Sequence, residues 1–179
     1  IIFTIIGMVL VLSWIMPLFA IILIISGAGF PFFTQQREGL EGKKFTVLKF
    51  RTIDSKGTSN SIQRWMRKLG IDELPQLFNV LAGQMSLIGP RPHTQGDGFN
   101  YAAEIRQYKV RQWAKPGLTG LARTRGLRGR EAGADKVLLE ARIHADIYYI
   151  ENWSLLLDIR LLIETVLRTV FFPSSLHKK

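Results

Sequence analysis

The chain has 179 residues, enough for one domain with a core of its own, and it has no cysteine, which excludes disulfides and thiolate metal centres. Lysine and arginine number 24 against 14 acids, a formal net charge of +10. That balance points to anionic partners: nucleic acid, phospholipid headgroups or nucleotide phosphates.

The sequence begins at Ile1 rather than at a methionine, as expected of a piece of a longer chain. Residues 1–26 carry no charge and are almost wholly apolar, which by itself favours a transmembrane helix. Pro17 interrupts that reading, because proline removes a backbone donor and clashes with the preceding turn. At ~1.5 Å per residue the two halves reach roughly 24 Å and 15 Å, each short of the ~30 Å hydrocarbon core. A re-entrant hairpin broken at Pro17 is therefore the alternative to a full span, with Ser13 placed to satisfy a freed carbonyl.

Gly27, Gly29 and Pro31 next mark a turn at the membrane boundary. In TQQREGLEGKKFTVLKFRT, residues 34–52, Phe45, Val47 and Phe50 approach strand alternation, so a short hairpin is expected. Lys43 and Lys44 read as solvated beside an anionic surface. Arg37, Lys49 and Arg51 are candidates for gripping phosphate oxygens, Arg51 foremost. Residues 54–60, DSKGTSN, are a loop; Ile62, Trp65, Met66 and Leu69 then have helical spacing, with Arg64, Arg67 and Lys68 on other faces.

Residues 69–93, LGIDELPQLFNVLAGQMSLIGPRPH, are the densest stretch. Pro75 suits a first helical turn, which places Asp72 and Glu73 at a helix N-terminus with an apolar stripe at Leu74, Leu77, Phe78 and Leu81. Free N–H groups there suit a phosphate, and a carboxylate beside one can be nucleophile, metal ligand or base. On the local pattern alone, Asp72 is equally an N-cap and Glu73 a dipole partner. In Gly89–Pro92 two prolines fix the backbone around Arg91, either as a rigid turn or to hold a guanidinium with little entropy to lose. His93 and the following TQGDGFN receive no role.

Residues 101–113 read as a helix with Arg106, Lys109 and Arg111 mostly solvated. LARTRGLRGR sets arginines at 123, 125, 128 and 130 around two glycines, which suits a phosphate loop and a nucleic-acid patch alike. Two helices close the chain, the second capped by Asn152 or Ser154. Its stripe of Leu155, Leu156, Ile159, Leu162, Ile163, Val166 and Leu167 suits core packing or membrane docking, and Glu164 is spaced to pair with Arg168.

QQREG, LKFRT, DELPQLFNVL, GQMSLIGPRP, KPGLTG, GLRG and ADIYYIENWS follow one another in an order that resembles the monotopic phosphoglycosyl transferases, also called bacterial sugar transferases. The resemblance covers essentially everything after the anchor. It implies an α+β, mainly helical fold: a re-entrant membrane hairpin over residues 1–33, broken at Pro17, then a catalytic domain over 34–179 with amphipathic helices and a short β-hairpin. Met16-Pro17 stands where the family usually has Ser-Pro, and the connection from KFRT to DELPQ is short for the family.

The resemblance also implies a chemistry. Asp72 matches the nucleophile and Glu73 its partner at Mg²⁺; Lys49, Arg51, Pro90, Arg91, Pro92, Arg111 and Arg128 match substrate-binding positions. Asp146 matches a terminal-segment acid that is either a second polar group of the site or the partner of a buried arginine. Arg123 and Arg125 replace residues that are commonly neutral and polar. The implied reaction moves a sugar-1-phosphate from a UDP-sugar to undecaprenyl phosphate through an aspartyl intermediate and releases UMP. It is the first membrane step of exopolysaccharide, capsule or O-antigen assembly, on the cytoplasmic face of the bacterial inner membrane. Membrane phospholipid is then a partner, nucleic acid is not, and an oligomer is compatible. Two other readings fit parts of the sequence: a membrane-tethered basic module that binds nucleic acid or acidic lipid, and a metal-dependent phosphohydrolase.

Overall fold

The computed structural model describes residues 11–27, 29–54, 57–94, 107–127 and 136–171. A π-helical turn, Val11–Ile15, runs into helix α1, Met16–Ile25. Proline cannot donate to the carbonyl one α-turn back, and the wider π turn immediately before Pro17 is where the helical bonding changes. The expected break is thus a change of helical type, and the backbone stays helical across Met16 and Pro17. Among the described residues no helix is long and apolar enough to cross a membrane; residues 1–10, which belong to the first arm of the expected hairpin, lie outside the described residues.

Helix α1 buries one side only. Met16 and Leu23 pack with Phe50 and Met66, while Trp14, Leu18, Ile21, Ile24 and Ile25 are exposed. Strands β1, Phe32–Glu38, and β2, Lys44–Phe50, form the expected antiparallel hairpin, with Phe32 opposite Phe50 and Glu38 opposite Lys44. Alternation puts Phe45, Val47 and Lys49 on one face of β2 and Phe50 on the other. Phe45 and Val47 bury against Met85, while Phe50 stacks on Phe32 at 5.4 Å. Lys43 is exposed and pairs with Glu41 at 2.7 Å.

Helix α2, Ser61–Leu69, starts on a capping box between Asn60 and Gln63 and ends on Gly70 in the left-handed region at φ 72°. Met66 is fully buried and Ile62 and Trp65 face outward, so the amphipathic reading holds with a narrow inner face.

The next segment departs from expectation. Ile71–Gln76 is a 3₁₀ helix, and only Leu77–Leu81, helix α3, is α-helical. A three-residue period aligns Glu73, Gln76 and then Asn79 on the inner face, and all three are buried. Phe78 and Leu81, assigned to a buried stripe on a 3.6-residue period, are exposed instead. Nor does an α-helix start at Asp72 and Glu73; Glu73 N already donates to Gly70 O at 3.1 Å. Asn79 locks this turn to β2, donating from Nδ2 to Thr46 O at 2.7 Å and accepting from Leu48 N at 3.3 Å.

Strands β3, Ser86–Ile88, and β4, Gly117–Thr119, form a parallel pair that the sequence reading does not include. It brings GPRP against KPGLTG so closely that a Cβ at Gly89 would lie 2.5 Å from Lys115 O. Between them, the helix expected over 101–113 is a 3₁₀ helix in its described part, Tyr108–Trp113, and residues 101–106 lie outside the described residues. The three-residue period turns Tyr108 and Arg111 inward together, so Arg111, expected in solvent, is buried.

Helix α4, Leu121–Thr124, and helices α5, Lys136–Glu151, and α6, Leu155–Phe171, enclose an apolar cluster of Ile88, Leu121, Ala122, Ala145, Tyr149 and Leu161. Ser154 is the cap of α6, accepting from Leu157 N at 3.2 Å. The α6 stripe is not core, since Leu161 is 1% exposed but Leu156 is 76% exposed and its six companions are exposed as well. Glu164 pairs with Arg160 at 2.9 Å rather than with Arg168.

Candidate active site

The 3₁₀ turn carries two adjacent carboxylates to different surroundings. Asp72, half-buried, lines an open cavity of about 480 Å³ together with Lys49, Arg51, Arg67, Gln35 and Asp54. Glu73, 4% exposed, points inward between two guanidinium groups. Its Oε1 accepts from both Nη1 and Nη2 of Arg91 at 3.1 Å each, and its Oε2 accepts from Nη1 of Arg123 at 2.5 Å.

Three cations face the Asp72 cavity, and each is placed differently. Lys49, on the inner face of β2, feels Arg91, Glu73, Arg37 and Asp72 at once; burial first, and then the Arg91 charge, push its ammonium down to about 8. Arg51 leaves the end of β2, donates from Nη2 to Phe32 O at 3.4 Å, and keeps a buried Nε with no protein acceptor among the described residues. Arg67 comes from α2 and donates to Thr52 O and Ser59 Oγ. The sequence reading put Arg67 on an outer face; its role appears only once α2 docks beside the loop after β2. Asp54 is committed to its own loop, accepting from Thr58 N and Oγ1 at 2.7 and 2.6 Å.

Behind Arg91 lies a layer of buried arginines. Pro90 and Pro92 are buried and the Arg91 side chain is 38% exposed, so the segment offers one guanidinium from a fixed backbone. Arg37 donates from Nη1 to Pro92 O at 3.0 Å and from Nη2 to Gln35 Oε1 at 2.7 Å. Arg111 donates from Nη2 to Arg91 O at 2.6 Å and to Asp146 Oδ2 at 2.7 Å, from Nε to the same oxygen at 3.2 Å, and from Nη1 to Tyr108 Oη at 3.3 Å. Burial works against the Arg111 charge, but the Asp146 carboxylate outweighs it and holds the guanidinium above its ordinary value. Of the two roles open to Asp146, the geometry gives that of a buried arginine's partner. Arg111 and Arg37 brace the Pro-Arg-Pro backbone and do not face the Asp72 cavity. His93 bonds Tyr108 Oη through Nδ1 at 2.8 Å, and burial plus the neighbouring arginines hold its ring neutral, well below the usual histidine range.

The arginine loop divides. Arg123 turns in to Glu73, Arg125 lies over the Tyr148 ring at 5.6 Å, and Arg128 and Arg130 lie outside the described residues. The enclosed gap beside Arg123, lined by Arg91, His93, Thr119 and Asp146, is about 30 Å³, room for about one water, whereas the cavity on the Asp72 side, about 480 Å³, is ligand-sized.

Mg²⁺ at Glu73 does not fit this donor set. A hard dication binds carboxylate oxygens, and both oxygens of Glu73 are held between guanidinium groups. Among the described residues no three of His, Cys, Asp and Glu stand together as a metal-binding group.

The family follows from comparison with known proteins. The model of the bacterial sugar transferase family matches residues 1–172, and the chain belongs to that family. A UDP-glucose:undecaprenyl-phosphate glucose-1-phosphate transferase of Caulobacter vibrioides is 45% identical over 148 residues, 75% of this chain and 54% of the relative. An exopolysaccharide production protein PSS of Rhizobium leguminosarum is 35% identical over 182 residues, 92% of this chain and 90% of the relative. A UDP-galactose-lipid carrier transferase of Erwinia amylovora is 31% identical over 194 residues, 92% of this chain and 39% of the relative. The chain thus spans about half or less of the two relatives named as transferases.

Proposed function

We propose that this chain is a phosphoglycosyl transferase that moves a hexose-1-phosphate from a UDP-hexose to undecaprenyl phosphate. The observation that carries the reading is Asp72 on the wall of a 480 Å³ cavity with Lys49, Arg51 and Arg67, beside a carboxylate held between arginines. Two anions, carboxylate and pyrophosphate, approach one another only where cations offset their repulsion. Asp72 attacks the phosphorus bearing the sugar, the bond to the bridging oxygen breaks, and UMP leaves with the electron pair. The phosphate oxygen of the lipid then attacks the same phosphorus and returns the Asp72 carboxylate. Lys49, Arg51 and Arg91 stabilise the phosphoryl oxygens in both steps, and Arg111, Arg37 and Asp146 hold Arg91 in place. Mg²⁺ would supply further compensation of phosphate charge.

The outward apolar faces of α1 and α6 support a body seated on the membrane with the cavity near headgroup depth. Within the proposal, residues 1–33 form the membrane anchor, re-entrant as the family resemblance implies, and residues 34–179 lie at the cytoplasmic face. The names of the relatives supply glucose and galactose as donor sugars and exopolysaccharide as the product class.

The test is mass spectrometry of the intact protein incubated with UDP-glucose or UDP-galactose without lipid acceptor. The reading predicts an adduct of one hexose phosphate that maps to Asp72 and disappears on adding undecaprenyl phosphate. Turnover of an active donor with the adduct on another residue contradicts it.

A further inference from the structure

We propose that Phe33 and Ile53 form an apolar lip on the Asp72 cavity that takes the first isoprene units of the lipid acceptor, with the acceptor phosphate at Lys49 and Arg51. The proposal rests on the transferase reading and adds to it the residues that recognise the acceptor's hydrocarbon.

Strand register sets the two chemistries side by side. Phe33 on β1 stands directly opposite Lys49 on β2. Residues so paired project to the same face of the hairpin, with Cβ atoms about 5 Å apart. Both line the cavity that Asp72 lines, together with Arg51 and, just beyond the end of β2, Ile53. Phe33 is 44% exposed and Ile53 50% exposed, so each has apolar surface that a ligand would cover. The lip lies at the end of the hairpin that leads back to α1. There Arg51 N donates to Pro31 O at 2.8 Å, and Phe30 and Ile25, further back toward α1, are well exposed. With α1 in the membrane anchor, this is the side from which a lipid arrives.

The connectivity of the ligands selects the occupant. In a polyprenyl phosphate the hydrocarbon begins one ester oxygen from phosphorus. A phosphate bonded to Lys49 therefore carries its first isoprene beside the residue opposite Lys49. In a UDP-hexose, a second phosphate and a ribose separate the base from the phosphorus that Asp72 attacks, which takes the base past Phe33. The hexose is one oxygen away, but its hydroxyls need hydrogen-bond partners that Phe33 and Ile53 do not offer. Gln35 and Asp54, also in the lining, already accept from Arg37 and from Thr58. Cations beside an apolar lip match an amphiphilic anion.

The test compares the unaltered chain with Phe33→Thr, Ile53→Thr and Phe33→Leu, using two probes, farnesyl phosphate and inorganic phosphate. Threonine keeps a β-branched side chain suited to a strand and removes the ring. Phe33→Thr should weaken farnesyl phosphate binding about tenfold, Ile53→Thr several-fold, and neither should change inorganic phosphate binding by more than about twofold. Phe33→Leu, still apolar, should keep most of the affinity. In turnover, the KM for undecaprenyl phosphate should rise in the two threonine variants while hexose-phosphate adduct formation from the donor keeps its rate. Ile53→Thr, outside the strands, carries the test if Phe33→Thr does not fold. Unchanged farnesyl phosphate binding, an equal loss for inorganic phosphate, or slowed adduct formation with a raised donor KM overturns the proposal, the last assigning the lip to the donor. Should no donor react with the unaltered chain, the transferase reading fails instead, and the two probes still decide whether Phe33 and Ile53 hold an isoprene.

Discussion

Arg111 lies beneath Arg91 and donates to its backbone carbonyl at 2.6 Å, while two of its nitrogens fork onto Asp146. Arg91, one of the two arginines on Glu73, is thus carried on a backbone held by a buried ion pair, and Arg37 fixes the next carbonyl along, that of Pro92. The placement of Arg91 rests on charge compensation underneath it.

Removing one partner of that pair strands a buried guanidinium. Asp146→Ala should lower stability by about 3–5 kcal/mol in denaturant unfolding, with loss of UMP release in the fraction that remains folded, because Arg91 is no longer held. A change below about 1 kcal/mol would show that Arg111 finds another acceptor.

Lys49 gives the site a pH limit. Its folded value of about 8 lies below the ordinary 10.5, so the native protein releases this proton first and, for this group alone, stability rises with pH between those values. Phosphate binding needs the ammonium, so kcat/KM for the donor should fall above about pH 8. Lys49→Arg should flatten that limb, and an alkaline fall that survives in Lys49→Arg assigns it elsewhere.

Gly117 admits no side chain. A Cβ there would overlap the backbone nitrogen of Gly89, and Gly117 N donates to Pro90 O at 2.8 Å. Gly117→Ala should cost about 1–3 kcal/mol by overpacking and raise the donor KM, because the strand pair that places Arg91 must part. Wild-type melting together with wild-type KM would contradict this.

How much of this was legible in the chain depends on the period each segment follows. The β-hairpin and α2 announce themselves through alternation at Phe45 and Val47 and through the helical spacing of Ile62, Trp65, Met66 and Leu69, both local signals. The Asp72 turn does not, because a 3₁₀ phase moves Glu73, Gln76 and Asn79 inward where an α-helical phase selects Phe78 and Leu81. Asp72, Glu73 and Arg91 were singled out through family resemblance; Asp72 lines the cavity, and Glu73 pairs with Arg91 behind it. The parts of Arg37, Arg111 and Arg123 were not legible: a guanidinium looks alike whether it meets a ligand or a carbonyl, and the Asp146 partner of Arg111 is 35 residues away. Strands β3 and β4, three residues each, carry no pattern long enough to read.

The apolar stripe on α6 faces outward, with Leu156 and Ile163 well exposed. If it seats the body on a bilayer, Leu156→Glu with Ile163→Glu should reduce sedimentation with phosphatidylglycerol vesicles several-fold and leave the melting temperature within about 2 °C, as expected of surface changes. Undiminished sedimentation of a folded double variant would leave α1 as the sole anchor.

The most direct test of the account is UMP release from UDP-glucose and UDP-galactose with undecaprenyl phosphate, comparing the unaltered chain with Asp72→Asn. The account predicts lipid-dependent release that Asp72→Asn abolishes while its melting temperature is retained. Equal release by Asp72→Asn on an active donor would contradict it, because the carboxylate that lines the cavity would not then be the attacking group.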